Sequence, residues 1–298
     1  MVIVMKSVIV IVGPTGVGKT KLSIELAKKL NGEIINADST QIYKGLDIAT
    51  AKIKEHEKEG IPHHLFDIKE ITENYTVFDY QKDSRKVIDT LLEQGKTPIL
   101  VGGTGLYIKA SLYDYQFEPG KNENQYDDLT DEELYQKLLT VDPNTEIHKN
   151  NRKRVVRAYN YYLETGKPFS QKEKTDVLKY QTIVIGLTTN RDVLYERINK
   201  RVDEMVEEGL LEEASRIYQS GIRTKAVMTP IGYKELFPYF EQKKSLEECF
   251  ELMKKNSRHY AKRQMTWFRN SMNVNWFTVD FSHFENTVEE VLHFILEN

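Results

Sequence analysis

Short apolar runs alternate with longer stretches of helical periodicity along most of this chain. Residues 8–12, 33–36, 98–101, 182–187 and 276–279 read as strands. Residues 19–30, 77–94, 194–208, 210–219, 246–269 and 288–296 carry apolar positions at helical spacing, with Leu22, Leu26 and Leu30 on one face of the first. Gly95, Gly209 and Gly221 stand where helix ends are expected. The alternation predicts an α/β fold with a parallel sheet flanked by helices. From about Tyr113 to Tyr180 the pattern changes. Helical periodicity continues without a buried strand, and residues 118–125 are polar and rich in turn formers. We therefore expect a mainly helical insertion domain, residues 113–180, in a core made of residues 1–112 and 181–298.

At 298 residues the chain can bury a large core in one or two domains. A formal net charge of −3 gives no bulk attraction to polyanions, so nucleic-acid contact has to come from local clusters. The single Cys249 excludes an intramolecular disulfide and a cysteine zinc cluster, and fits a reducing cytoplasm. Its helical setting reads as packing. The apolar start lacks a cationic lead, is broken by Lys6 and Ser7, and runs into the next motif, so it reads as the first strand and not as a signal segment. No apolar run approaches the roughly 20 residues that span a bilayer, so no membrane role is expected.

Directly after residues 8–12 stand Gly13, Pro14, Thr15, Gly16, Val17, Gly18, Lys19 and Thr20, a complete G-x-x-x-x-G-K-[ST] phosphate-binding loop between strand and helix. Such a loop curls its amides around phosphate oxygens. Lys19 adds a point charge, the helix N-terminus adds its dipole, and Thr20 offers a hydroxyl to a divalent metal. The motif implies a nucleotide or diphosphate ligand and leaves kinase, motor ATPase, GTPase and transferase open. Motor-type enzymes place a carboxylate at the end of a second apolar strand. Here residues 99–101 end in Gly102, Gly103, Thr104 and Gly105, where the glycines allow either close approach to a ligand or a tight turn. Asp280 ends a strand far along the chain. Asp38 lies just past the strand 33–36, at the sheet edge where α/β proteins bind ligands, and can serve as a proton acceptor or as a helix cap.

At Asp38, Ser39, Thr40, Gln41, Ile42 and Tyr43 the chain resembles the tRNA dimethylallyltransferases (tRNA isopentenyltransferases). The resemblance continues through residues 45–52, Pro62 to Leu65, residues 101–107 with Thr104, Ile231 to Glu235 with Gly232 and Tyr233, and residues 260–269. It implies a P-loop NTPase-like core and transfer of a dimethylallyl group from dimethylallyl diphosphate to N6 of adenosine 37, in tRNAs reading codons that begin with U. It also implies Asp38 as proton acceptor, Thr15, Lys19 and Arg201 on the diphosphate, Asp38, Ser39, Thr40, Gln41, Thr104, Gly232 and Tyr233 on the tRNA, and Mg²⁺ as metal; a monomer is expected. A P-loop kinase, or an adenylate isopentenyltransferase acting on a free nucleotide, is the rival reading.

The near-neutral total hides a basic helix. Lys254, Arg258 and Lys262 recur at i+4, and Lys255, His259 and Arg263 form an adjacent stripe. Tyr260, Trp267 and Phe268 lie among them, and Arg269 follows. Basic faces with aromatics suit phosphate contact and base stacking, but aromatics on such a helix can equally enter a core. Lys153, Arg154 and Arg157 form a second basic cluster in the insertion. We expect both clusters to hold the anticodon stem-loop. His63 and His64 have no third ligand at recognisable spacing and carry no metal expectation.

Overall fold

The computed structural model describes residues 7–114, 126–172 and 177–298. The polar stretch 118–125 lies outside them. The strands are β1 Val8–Val12, β2 Gly32–Asn36, β3 His63–His64, β4 Thr97–Val101, β5 Thr182–Thr188 and β6 Asn275–Thr278. The helices are α1 Lys19–Lys29, α2 Val77–Glu93, α3 Gly105–Leu112, α4 Asp131–Val141, α5 Arg152–Thr165 and α6 Arg191–Glu207. They continue with α7 Leu210–Gln219, α8 Lys225–Met228, α9 Tyr233–Phe240, α10 Leu246–Ser271 and α11 Phe284–Glu297.

The six strands form one parallel sheet in the order β3-β2-β4-β1-β5-β6. A parallel sheet needs cover on both faces, which is why its central strands read as unbroken apolar runs. Val8, Val10, Val12, Ile35, Leu100 and Val184 enter one core with residues of α2, α3, α7, α9 and α10. Ile9, Ile11, Ile34, Ile99, Ile183 and Ile185 enter a second core with α1, α6 and α11. Register brings the site together. Val101 pairs with Ile11 on one side and Asn36 on the other, so the chains leaving β1, β2 and β4 emerge at one carboxyl edge.

The chain divides into two compact units, Met1–Tyr113 with Leu178–Asn298, and Asp114–Val177. The smaller unit has its own core of Leu134, Leu138, Ile147, Val155, Val156 and Ala158 between α4 and α5. Thr130 caps α4 reciprocally with Glu133, and Arg152 at the start of α5 pairs with Asp131 at 2.7 Å. Lys153, Arg154 and Arg157 are exposed on α5. Among the described residues no helix is long and apolar enough to cross a membrane.

Candidate active site

A cavity of about 320 Å³ opens at the carboxyl edge of the sheet, lined among others by Thr15, Lys19, Thr20, Asp38, Arg201 and Tyr260. The phosphate loop forms one wall. Gly18 occupies the left-handed region (φ 99°) as N-cap of α1, and a side chain there would press on the Phe284 ring. Lys19 Nζ donates to the carbonyls of Gly13 at 3.0 Å and Pro14 at 2.9 Å, so the ammonium is held within the loop. Burial pushes its pKa down to about 8; Asp38 opposes the shift, and Arg201 adds to it. Arg201, from α6, reaches the Ala51 carbonyl at 3.5 Å. Burial lowers its pKa too, again against the pull of Asp38. Two desolvated cations thus share one cavity with one carboxylate. A second cavity on the outer side of the loop shares Lys19, Thr20 and Arg201 with the first.

Asp38 is fixed by its neighbours. Asn36 Oδ1 accepts from the Asp38 amide at 2.8 Å, while Asn36 Nδ2 donates to the Asp38 and Leu65 carbonyls. Asp38 Oδ1 accepts from the Thr40 amide at 3.0 Å and its hydroxyl at 2.7 Å. Oδ2 makes no hydrogen bond to another described residue. No helix directly follows Asp38, so the alternative role of helix cap is not taken up; Oδ1 instead holds the turn at Thr40, and that occupies only one oxygen. Thr104 Oγ1 accepts from the Ser39 amide at 3.0 Å and faces the Ser39 hydroxyl at 3.2 Å. Gln41 Nε2 donates to the Thr50 and Ala51 carbonyls.

Several expectations need correction. The glycines after β4 let protein come close: a Cβ at Gly102, which also borders the cavity, would lie 2.2 Å from Ala37 backbone, at Gly103 2.0 Å from Gln264 Nε2, and at Gly105 2.1 Å from the Trp267 ring. Tyr233, expected on the tRNA, is fully buried with its hydroxyl on Glu213 at 2.8 Å. The Gly232 amide donates to Glu235 at 2.8 Å. Both are buried, and Glu213, the partner of Tyr233, also accepts from the amides of Asp47, Ile48 and Ala49, which pins the segment carrying Thr50 and Ala51. The stripe Lys254, Arg258 and Lys262 is not three free charges. Lys254 pairs with Asp203 at 2.8 Å and Glu251 at 3.3 Å, and Arg258 donates to Asn199 at 2.6 Å. Phe268 is fully buried. Lys262, Arg263 and Arg269 are exposed, and Arg263 borders the cavity. Asp280 caps the turn to α11 through the amides of Ser282 and His283.

His63 and His64 form the edge strand β3, and His64 Nε2 lies 2.6 Å from Glu33. Among the described residues no group of three His, Cys, Asp or Glu side chains could hold a metal. Asn36, Glu213 and Gln264 went unassigned in the sequence. Asn36 stands two residues before Asp38, a spacing that could have marked it as a turn-forming partner. Glu213 and Gln264 have partners too distant in sequence to leave such a signal.

The IPP transferase family pattern matches residues 41–271. A tRNA dimethylallyltransferase of Anoxybacillus flavithermus is 50% identical over 97% of this chain and 96% of its own length. One from Geobacillus thermodenitrificans is likewise 50% identical, with the same coverage. Among solved structures, a tRNA isopentenylpyrophosphate transferase of Bacillus halodurans matches with TM-score 0.77 and 44% identity, over 98% of this chain and 96% of that one. A eukaryotic dimethylallyltransferase acting on tRNA matches with TM-score 0.84 and 34% identity, over 97% of this chain and 78% of that one.

Proposed function

The chain belongs to the IPP transferase family, and from that premise we propose that it moves the dimethylallyl group of dimethylallyl diphosphate onto N6 of adenosine 37. The acceptors are tRNAs reading codons that begin with U, and the second product is diphosphate. One observation carries the reading at the level of chemistry. Asp38 keeps one carboxylate oxygen uncommitted in a cavity that it shares with the phosphate loop and two desolvated cations.

In this reading the loop amides, Lys19 and Arg201 bind the donor's diphosphate, with Thr15 at the loop's cavity wall. As the bond from N6 to C1 of the donor forms, the C1–O bond breaks and its electron pair leaves with diphosphate. The displaced N6 proton passes to Asp38 Oδ2. Negative charge grows on the leaving group beside cations whose hydration was given up on folding, so they stabilise the transition state more than they would in water. Asn36 and Thr40 hold the carboxylate, which limits the reorientation needed at the moment of reaction.

The residues present fit Mg²⁺. Thr20 is exposed on the first turn of α1 and borders both cavities, and it offers one hard oxygen without a carboxylate cage. That donor set suits an ion that keeps water and phosphate oxygens as most of its ligands. When bound, Mg²⁺ offsets part of the charge on the diphosphate.

Ser39, Thr40, Gln41 and Thr104 border or adjoin Asp38 and are suited to the target adenine, which has to leave its stack to reach the pocket. The exposed Lys262, Arg263 and Arg269, and separately Lys153, Arg154 and Arg157, supply phosphate contacts. We place this work in the cytoplasm, by a monomer. The test is to incubate the protein with Mg²⁺, labelled dimethylallyl diphosphate and either anticodon stem-loop RNA, AMP or ATP. Label entering only the RNA is expected. Label entering AMP or ATP would move the reading to a free-nucleotide transferase, and ATP turnover without transfer would move it to a kinase.

A further inference from the structure

Gln264 lies on α10, is 5% exposed, and carries no role in the chemistry above. Its side-chain amide joins two backbones that are remote in sequence. Oε1 accepts from the Thr15 amide in the phosphate loop at 3.0 Å, and Nε2 donates to the Gly103 carbonyl at 3.2 Å. One partner is a donor and the other an acceptor, so the orientation of the amide is fixed. Gly103 is shaped to receive it, since a Cβ there would stand 2.0 Å from Nε2 and 3.8 Å from Asp38 Oδ2. The residue after Gly103 is Thr104, whose hydroxyl holds Ser39 beside Asp38. One side chain therefore spans the loop on the leaving-group side and the turn on the proton-acceptor side.

We propose that Gln264 is a positioning residue that sets the spacing between the diphosphate loop and Asp38, and thereby the approach of the acceptor amine to the donor carbon. This rests on the transfer reaction proposed above. Reaction rate depends steeply on that approach: a misplacement of about 1 Å can cost about 10²-fold. Ground-state binding depends on it far less, because each substrate has its own contacts on its own side. Loss of Gln264 should therefore slow the chemical step and leave each substrate's affinity nearly intact.

The experiment compares wild type with Gln264→Met, Gln264→Glu and Gly103→Ala in single-turnover transfer from labelled dimethylallyl diphosphate to anticodon stem-loop RNA, with separate binding titrations of donor and RNA. Gln264→Met fills the space but makes neither hydrogen bond. Its rate should fall about 10–100-fold, with both dissociation constants within about threefold of wild type (under ~0.7 kcal/mol). Gly103→Ala displaces the amide from the other side and should reproduce that split even if the methionine variant folds poorly.

Gln264→Glu supplies the distinguishing readout. Only a protonated carboxyl can both accept from Thr15 and donate to Gly103. The ratio of variant to wild-type rate should rise as pH falls from 8 to 5.5, and the wild-type reference cancels pH effects common to both enzymes. Three results would overturn the proposal: wild-type rates in Gln264→Met or Gly103→Ala, a loss confined to binding, or a pH-independent ratio for Gln264→Glu. Failure of the wild type to label RNA would instead remove the reaction reading itself, so the two failures are distinguishable.

Discussion

Replacing Glu213 with alanine removes a carboxylate that holds four groups at once: the amides of Asp47, Ile48 and Ala49 at 3.0–3.2 Å and the Tyr233 hydroxyl at 2.8 Å. Asp47 lies at the surface, and water can take over its amide. Ala49 and Tyr233 are buried and Ile48 is half-buried, so two or three groups stay dry and unpaired. Each stranded group costs about 1–3 kcal/mol, and a loss of about 3–5 kcal/mol is expected, a large share of the ~5–15 kcal/mol of a typical domain. Tyr233→Phe breaks one bond and should cost about 1–2 kcal/mol alone. In the alanine background that hydroxyl has already lost its partner, so its removal should cost little, giving a coupling of about 1–2 kcal/mol in the double-mutant cycle. Urea unfolding followed by tryptophan fluorescence measures this directly, because Trp267 and Trp276 both lie in the larger unit. Additive losses, or a Glu213→Ala cost below about 1 kcal/mol, would refute the argument. RNA affinity unchanged by Tyr233→Phe would further separate this residue from the acceptor surface.

Two other outcomes are expected. Lys19, with its pKa pushed down to about 8, is charged below that pH and neutral above it. Donor affinity should weaken as pH rises through about 8, by up to about tenfold per unit, and Lys19→Ala should flatten the profile; affinity independent of pH between 7 and 9 in wild type would contradict the assignment. In salt titrations of RNA binding, Lys262→Ala and Arg154→Ala should each make the slope of log K against log salt shallower, by about 0.7–0.9 for every phosphate left without its cation. Lys254→Ala, whose charge is paired with Asp203 and Glu251, should leave the slope alone; equal slopes in all three variants would remove the proposed distinction.

The sheet's central strands were legible because burial on both faces demands continuous apolar runs, which β1, β4 and β5 have, while β2 offers only Ile34 and Ile35. β3 was not, because His63 and His64 are half-buried at the edge and carry no apolar signal. The short helices α3, α8 and α9 offer too few turns for periodicity to register. Within the site, the phosphate loop and Asp38 could be read because their chemistry is local in sequence. Gln264 could not, since its partners lie 161 and 249 residues away. Helical spacing places Lys254, Arg258 and Lys262 on one side of α10 but cannot reveal that α6 supplies Asp203 and Asn199 to the first two. Tyr233 was misplaced for the same reason, because its burial depends on Glu213 of a separate helix.

Proton removal at the uncommitted oxygen of Asp38 is tested by single-turnover transfer with Asp38→Asn. The asparagine Oδ1 can still accept from Thr40, so the local turn should survive, but the side chain can no longer take a proton. With labelled dimethylallyl diphosphate and anticodon stem-loop RNA both saturating, the rate should fall by about 10²–10⁴-fold, while RNA affinity measured without donor stays within about threefold (under ~0.7 kcal/mol). Transfer at close to the wild-type rate would contradict the account, because the attacking amine would then lose its proton elsewhere.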